Sequence, residues 1–258
     1  MSEVMAEIRK DYLYNLMIKG ERVDGRAFNE FRSIKIETDV IDTAEGSARV
    51  LIGDTQVIVG IKIQPGEPFP DSPDKGVIIT NLELIPLASP EFEVGPPGED
   101  AVELARVVDR GIRESNAIEL TKLCIEEGEK VWIIFIDIHV LDDCGNVMDA
   151  SALGSIAALL SAKIPAKQYD LGEDFMVPIR EIPISITAIE FGGEIMFDPS
   201  LIEESIAGTK LTVVTNTDGS ISSIQKSGKN ALTIDQIYYI IDIACEKAKE
   251  IREKFLEI

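Results

Sequence analysis

The segment Val131–Leu141 restricts the possible folds of this chain more than any other. It reads VWIIFIDIHVL, which is apolar and rich in β-branched residues almost throughout. Such a run is typical of a strand in the middle of a sheet, because both of its faces must be shielded from water. The sequence therefore predicts a central strand here, buried on both faces. The single histidine, His139, is interpreted as a strand residue with an ordinary hydrogen-bond partner.

Further strands are predicted before and after this segment. Ile34–Val40 alternates apolar and polar residues, as a half-buried strand does. Residues 46–52 and 56–63 are joined by a hairpin signal. The stretch 64–76 contains four prolines and two glycines and is expected to lack regular structure. The remaining predicted strands are 77–87, 183–191, 194–198, 210–216 and 220–226.

Four helices are predicted between and around these strands. The first covers residues 3–19 and the second covers about 99–116. The third, over 149–164, is rich in Ala, Ser and Gly, and Asp149 is expected to be its N-cap. The fourth follows Thr233–Gln236, which matches a capping box and precedes a long apolar stripe.

The order of these elements predicts an α+β fold. Strands are followed by helices twice, with short links between the strands, which indicates mixed or antiparallel sheets in two similar halves. We expect an N-terminal helix over 1–20, a first half over 21–165 and a second half over 183–258, in one compact unit with a linker at 166–182. The segment RVDGR (22–26) is expected to be a polar turn.

The charge balance limits the possible functions. The 258 residues include 25 Lys and Arg against 46 Asp and Glu, a net charge of −21, so the chain as a whole repels nucleic acid phosphates. Any role with nucleic acid therefore needs a local basic patch or a partner that supplies the positive charge. Three scattered cysteines and one histidine offer no zinc-site spacing or histidine-based triad. With neither a membrane span nor a signal peptide in view, a soluble cytoplasmic protein is expected.

One basic patch is predicted on the helix at 99–116. Arg106, Arg110 and Arg113 follow i, i+4, i+7 spacing and therefore share one face of the helix. Three guanidinium groups on one face can bind phosphate groups. The alternative is that they are partners of Glu103 and Asp109 in ordinary salt bridges within the helix.

Five segments of the chain carry a resemblance to a known family: RVDGR (22–26), EGSARVLIGDTQVIVGIK (45–62), ELARVVDRGIRES (103–115), VLDDCGNVMDAS (140–151) and FDPSLIEESIAGTKLTVV (197–214). Together they resemble the RNase PH family, and the resemblance covers about residues 20–250. Within that family the chain is most similar to the non-catalytic ring subunits of the archaeal exosome, because of the loop and helix at 86–115 and the extra N-terminal helix.

The resemblance implies a fold and a reaction. The expected RNase PH fold has two similar βαβ-type halves, each like domain 2 of ribosomal protein S5, that share one core. In the reaction, inorganic phosphate attacks the 3′-terminal phosphodiester of RNA and releases nucleoside diphosphates. This chemistry needs positive charge for the phosphate and a carboxylate for proton transfer or metal binding.

The sequence departs from the active members at the positions that carry this chemistry. An arginine at the entrance of a helix is replaced by Val147, and another arginine is replaced by Asp100. Of two acidic positions in the second half, Glu204 keeps a carboxylate, whereas Lys210 replaces the other. The resemblance therefore implies a chain with no catalytic residues and no metal site or cofactor of its own.

The RNA-contacting positions of the family are retained in ELARVVDRGIR, so Arg106, Arg110 and Arg113 are predicted to bind RNA. The expected partners are a catalytic paralogue, in a hexameric ring of three heterodimers, RNA-binding cap subunits and single-stranded RNA, with no membrane. Two alternatives stay open. The chain could be an active phosphate-dependent 3′-to-5′ exoribonuclease that uses Glu204, or an unrelated small-molecule enzyme on a similar fold.

Overall fold

The computed structural model describes residues 12–16 and 19–256. Six strands form the first sheet, in chain order β1 (Ile34–Thr38), β2 (Gly46–Ile52), β3 (Thr55–Gly66), β4 (Val77–Leu84), β5 (Cys124–Glu126) and β6 (Lys130–Asp142). Their order in the sheet is β1-β2-β3-β6-β4, with β5 also paired to β6. Strand β6 is antiparallel to β3 and parallel to β4, so the predicted central strand is confirmed and the sheet is mixed.

The expectation that this strand is buried on both faces is wrong. Residues such as Ile134 and Ile136 are fully buried, whereas Ile133 and Phe135, which point to the other side, are only half-buried. Helices cover one face of the sheet, and the chain leaves the opposite face partly open to solvent. His139 lies on that open face, where its Nδ1 is 3.5 Å from Oε2 of Glu83.

Strand β3 extends further than predicted. The segment 64–76 was expected to be irregular, but β3 continues to Gly66 and pairs with β6, with Pro65 opposite Trp132. Strand β2 ends its pairing with β3 at Ile61, so beyond that residue β3 has one neighbouring strand instead of two. A proline is tolerated in such an edge position because its missing N–H costs no ladder hydrogen bond.

The second sheet is antiparallel throughout. Its strands are β9 (Ile184–Phe191), β10 (Glu194–Phe197), β11 (Thr209–Thr215) and β12 (Ile221–Gly228). All four correspond to predicted strands, and they lie in the order β10-β9-β11-β12. A short pair, β7 (Lys163–Ile164) with β8 (Phe175–Met176), lies between the two sheets in sequence.

Among the described residues, four α-helices accompany the sheets, besides the short helical stretch at 12–16: α1 (Glu99–Glu114), α2 (Val147–Ser161), α3 (Leu201–Ile206) and α4 (Ile234–Phe255). Helix α2 packs against β2 and β3 of the first sheet and against β9 of the second, so nearly all of its residues are buried. Its small residues allow this close approach. A Cβ on Gly154 would lie 2.9 Å from Cγ2 of Val59.

Helix α4 begins with the predicted capping box, in which Thr233 and Gln236 exchange side-chain and backbone hydrogen bonds. It packs on β9 and β11. Of the predicted helix at 3–19, only residues 12–16 are described as helical, and the rest of that prediction falls largely outside the described residues. No helix in the described part of the chain is both long and apolar enough to cross a bilayer.

The start of helix α2 differs from the prediction. The helix begins at Val147, its N-cap is Asn146, and Asp149 is the third helical residue instead of the cap. The Asp149 carboxylate accepts hydrogen bonds from Nδ2 of Asn146 (2.9 Å) and from the backbone N–H and hydroxyl of Thr187 (2.9 and 2.7 Å). Thr187 lies on β9, so Asp149 connects the first half of the chain to the second.

Burial raises the pKa of Asp149 to about 7, even though these hydrogen bonds act in the opposite direction. A carboxyl group whose pKa is higher in the folded chain than in the unfolded one stabilises the fold at low pH. That contribution is complete below about pH 4 and is lost as the pH rises through about 7.

We expect the substitution Asp149→Asn to remove this pH dependence, because an amide can bond to the same neighbours without ionising. Urea unfolding at pH 5, 6, 7 and 8 measures the difference in the free energy of unfolding between the two proteins. The wild type should lose stability relative to the variant by up to about 1.4 kcal/mol per pH unit below pH 7. Asp71→Asn, in an exposed loop, is the control. Parallel curves for wild type and Asp149→Asn would contradict the prediction.

Candidate functional site

The three positions at which the sequence is expected to depart from active family members line one cleft together with the retained carboxylate of Glu204. The volume of this cleft is about 340 Å³, and it lies between α1, the start of α2, α3, β11 and β12. The four residues are Asp100, Val147, Glu204 and Lys210. The fold therefore brings together residues that are up to 110 positions apart in sequence.

The carboxylate of Glu204 binds both the amine of Lys210 and a backbone N–H group in the cleft. Oε1 of Glu204 accepts hydrogen bonds from Nζ of Lys210 (2.9 Å) and from the backbone N–H of Asn146 (3.2 Å). Asn146 is the N-cap of α2, where backbone N–H groups point out of the helix and favour an anion. The Glu204 carboxylate thus takes the place that an external anion would need.

The charge of the cleft is also unfavourable for phosphate. Its charged lining consists of the carboxylates of Asp100, Glu103, Asp143 and Glu204 and the single amine of Lys210. This excess of negative charge repels an anionic substrate. The other lining residues are neutral: Leu84, Phe92, Leu104, Val147, Met148, Thr212, Gln225 and Ser227.

The loop that precedes α2 has a specific backbone conformation. Gly145 has a φ of 93°, and a Cβ there would collide with the backbone of Ser200 and Leu201. Asn146 has a φ of 56°, in the left-handed region that asparagine tolerates better than most residues. These two residues bring the loop against the start of α3 and turn the Asn146 N–H toward Glu204.

Arg32 holds this loop in place. Its guanidinium donates to the carbonyl oxygens of Cys144 and Gly145, each at 3.0 Å. It also donates to both carboxylate oxygens of Asp198, at 2.9 Å to Oδ2 and 2.7 Å to Oδ1. One side chain therefore ties the loop before α2 to the segment before α3.

Asp198 is fully buried and accepts hydrogen bonds from three side chains, those of Arg26, Arg32 and Asn146. Burial acts to raise the pKa of Asp198, but the hydrogen bonds and charge of Arg32 prevail and hold that pKa below its usual range. The carboxylate is therefore ionised at neutral pH and serves as the counter-ion for two arginines.

A second buried ion pair involves the segment that was predicted to be a polar turn. Arg22 is buried and donates to both carboxylate oxygens of Glu203, at 2.9 and 2.6 Å. It also donates to the carbonyl oxygens of Phe197 and Asp198, each at 2.9 Å. Glu203 at the same time completes the capping box of α3 with Ser200. The polar turn is thus part of the packing of the second half.

Sequence reasoning did not assign a role to Arg22, Arg32 or Asp198 individually. Arg22 and Asp198 lie in segments that carried the family resemblance, RVDGR and FDPS, whereas Arg32 lies outside those segments. The ion-pair partners of these residues are more than 160 positions away, so spacing along the chain contains no sign of these contacts.

The predicted arginine face divides into different environments. Arg106 and Arg110 are exposed and line a groove of about 400 Å³, which also contains the carboxylates of Glu99 and Glu103 and the amide of Gln225. Arg106 forms no hydrogen bond or ion pair with any residue that the structure describes. Nη1 of Arg110 donates to Oε1 of Gln225 on β12, at 2.9 Å.

Arg113 is held differently. Its Nε donates to Oδ2 of Asp109 at 2.6 Å, and its Nη2 donates to the carbonyl of Ile78 on β4. The salt-bridge interpretation is therefore confirmed for Arg113. It is wrong for Arg106, whose expected partner Glu103 is not bound to it within the described residues.

The groove and the cleft adjoin each other, because Glu103 and Gln225 line both.

Among the residues that the structure describes, no group of three or more His, Cys, Asp or Glu side chains is arranged to hold a metal ion. The three cysteines are free thiols.

Comparison with known proteins gives matches over nearly the whole chain. Residues 30–165 match the 3′ exoribonuclease family, domain 1, and residues 181–247 match domain 2 of the same family. The sequence is 65% identical over 255 residues to the exosome complex component Rrp42 of Methanocella arvoryzae, covering 98% of both chains.

Two solved structures are also closely similar. A chain of the Archaeoglobus fulgidus exosome with RNA bound to the active site has a TM-score of 0.95 and 53% identity, covering 98% of this chain and 100% of that chain. A chain of an archaeal exosome core has a TM-score of 0.91 and 50% identity, covering 98% of both chains.

We expect Arg32→Met to lower the free energy of unfolding by about 3–5 kcal/mol, because it leaves the buried Asp198 carboxylate with one arginine instead of two. Arg49→Met is the matched control. Arg49 is half-exposed, bonds to Gln56 and lies 4.0 Å from Glu37, so its loss should cost less than about 1 kcal/mol. Urea unfolding of both variants tests this difference. Equal losses would show that Arg32 does not have the predicted role.

Proposed function

The chain belongs to the 3′ exoribonuclease family with the RNase PH fold, and we propose that it is the non-catalytic ring subunit of an archaeal exosome. The α+β fold that the resemblance implied is confirmed by the mixed first sheet, the antiparallel second sheet and the likeness to archaeal exosome chains. In our proposal the two halves are residues 21–165 and 183–258, joined at 166–182.

The observation that carries this proposal is the contact of Glu204 with Lys210 and with the Asn146 N–H. Phosphorolysis needs an anion site for phosphate, and here both donors bind a carboxylate of the chain itself. Removing a single positioned donor from such a site typically lowers the rate by about 10²–10³. Val147 and Asp100 remove two further sources of positive charge, so the cleft is unsuited to catalysis.

The proposed partners follow from the relatives and from the charge. The Rrp42 relative is named as an exosome component, and one similar structure is an exosome with RNA bound to the active site. We propose that three copies of this chain alternate with three copies of a catalytic paralogue in a hexameric ring, with RNA-binding cap subunits, in the cytoplasm. The net charge of −21 favours a mixed assembly with a less acidic partner over self-association.

Arg106 and Arg110 are the proposed RNA contacts of this chain. Both side chains are exposed along one groove, and neither forms an ion pair with a carboxylate in the described structure, including those of Glu99 and Glu103 in the same groove. They lie one helical turn apart, with about 5–6 Å between their Cβ atoms. They would contact the phosphate backbone of single-stranded RNA and guide it toward the active site of the paralogue. Arg113 contributes less in this proposal, because Asp109 neutralises it.

The first test concerns catalysis. We expect the isolated chain, incubated with RNA and inorganic phosphate, to release no nucleoside diphosphate. Lys210→Asp should also be inactive, because it restores a carboxylate but leaves Val147 and Asp100 in place. The wild-type chain reconstituted with the catalytic paralogue of the same organism is the positive control, and native mass spectrometry should show a mixed hexamer.

Nucleoside diphosphate release by the isolated wild-type chain would establish the alternative, an exoribonuclease that uses Glu204. Release by Lys210→Asp alone would show that Lys210 is the single block to activity. Circular dichroism of the variant checks that it is folded.

The second test concerns RNA. We expect the double substitution Arg106→Glu and Arg110→Glu in the reconstituted ring to weaken RNA binding by at least tenfold and to make its salt dependence shallower, because fewer phosphates are neutralised. The ring should still assemble, since exposed side chains contribute little to folding. Binding of a labelled single-stranded RNA at several salt concentrations measures the effect.

Two controls accompany this test. Lys122→Glu with Lys167→Glu changes the charge by the same amount at exposed positions outside the cleft and the groove, and should have little effect. Arg113→Gln should weaken binding less than either single substitution, Arg106→Gln or Arg110→Gln. Wild-type RNA affinity in the double variant would mean that these arginines are surface residues without a role in RNA binding.

A further inference from the structure

We propose that Gln225 is a positioning residue for RNA, which orients the Arg110 guanidinium along the groove without neutralising its charge. The contact that carries this inference is the 2.9 Å hydrogen bond from Nη1 of Arg110 to Oε1 of Gln225. The inference rests on the proposed function, because it concerns how one of the proposed RNA contacts is held.

The three arginines of α1 have three different kinds of partner. Arg106 has none among the described residues, Arg110 has a neutral amide and Arg113 has the carboxylate of Asp109. A carboxylate both orients a guanidinium and cancels its charge, which leaves little attraction for a phosphate. An amide oxygen orients the group and leaves its full charge. Arg110 is therefore both restrained in position and available to an anion.

The geometry of a guanidinium makes this dual role possible. Arginine carries five N–H donors in a planar fork, and phosphate is bound best by two of them at once. Only Nη1 of Arg110 is bonded to Gln225 in the described structure. The remaining donors can bind a phosphate while the contact persists. Fixing the side chain in advance reduces the rotamer entropy that is lost when RNA binds.

The position of Gln225 is set by the second half of the chain. It lies on β12, directly opposite Thr212 of β11, whereas Arg110 belongs to α1 of the first half. The contact joins residues that are 115 positions apart. The strand pairing holds the backbone of Gln225, so its amide has a defined place beside the groove.

The amide also faces the acidic cleft, because Gln225 lines both cavities. The groove already contains the carboxylates of Glu99 and Glu103 beside the guanidinium groups of Arg106 and Arg110. A third carboxylate, at position 225, would give the groove an excess of negative charge and repel a phosphate. The neutral charge of residue 225 is therefore as important as its ability to accept a hydrogen bond.

The test compares Gln225→Ala with Gln225→Glu in the reconstituted ring, using a labelled single-stranded RNA. Gln225→Ala removes the contact and should weaken binding by about two- to tenfold, the range for one hydrogen bond. Gln225→Glu keeps an acceptor and strengthens the bond to Arg110, yet it should weaken RNA binding more than Gln225→Ala does. If Gln225 only stabilised the fold, Gln225→Ala, which removes the contact with Arg110, should weaken RNA binding more than Gln225→Glu, which keeps it.

Two further measurements separate positioning from other effects. In the background of Arg110→Ala, Gln225→Ala should cause no additional loss of affinity. Ser227→Glu places the same charge on the same strand in the cleft only, and should have a smaller effect than Gln225→Glu. Urea unfolding and native mass spectrometry of each variant check that stability and assembly are unchanged.

The outcomes distinguish the inference from the proposed function. If Arg110→Ala weakens RNA binding but both Gln225 variants bind as the wild type does, the positioning role is wrong and RNA guidance stands. The positioning role is also wrong if Gln225→Ala causes the same loss with and without Arg110. If Arg110→Ala itself has no effect, both the RNA-guiding function and this inference fail.

Discussion

The buried Asp198 carboxylate is the interaction on which the functional region depends. It is ionised in the interior because Arg26 and Arg32 supply the compensating charge and Asn146 supplies a further donor. Removing a partner from such a group of charges lowers the free energy of unfolding, since an uncompensated buried charge destabilises a fold by several kcal/mol. The backbone before α2 and the backbone before α3 are thereby fixed relative to each other. Helices α2 and α3, which start from these two segments, carry Val147 and Glu204 of the cleft, and α1, which carries Asp100, packs against α2.

A rigid framework of this kind allows the chemistry of the cleft to change without a change of fold. The Asn146 N–H points into the cleft as a helix N-terminus suited to an anion, and Glu204 now occupies it. Lys210 completes the neutralisation of that carboxylate. The backbone N–H of a helix N-terminus is present, and a side chain of the chain itself binds it. In our proposal, this is how a chain with the exoribonuclease fold serves as a structural subunit.

On α1, too, the neighbouring side chains determine the effective charge of each arginine. A chain with a net charge of −21 needs local positive charge if it is to contact RNA. Three arginines share one helix, but only those without a carboxylate partner keep an effective charge. The neighbouring residue, Asp109 or Gln225, therefore decides what each arginine can do.

Local patterns in the sequence determined most of the secondary structure. The apolar run at β6, the four strands β9 to β12 and the capping box of α4 involve residues a few positions apart, and the position of each was predicted correctly. The resemblance located Asp100, Val147, Glu204 and Lys210, but not the contact between Glu204 and the Asn146 N–H. The role of Asp149, the half-exposed face of β6 and the different partners of Arg106 and Arg113 were decided by tertiary structure. These features depend on groups that meet only when the two sheets pack around α2, and that packing is not encoded in the spacing of neighbouring residues.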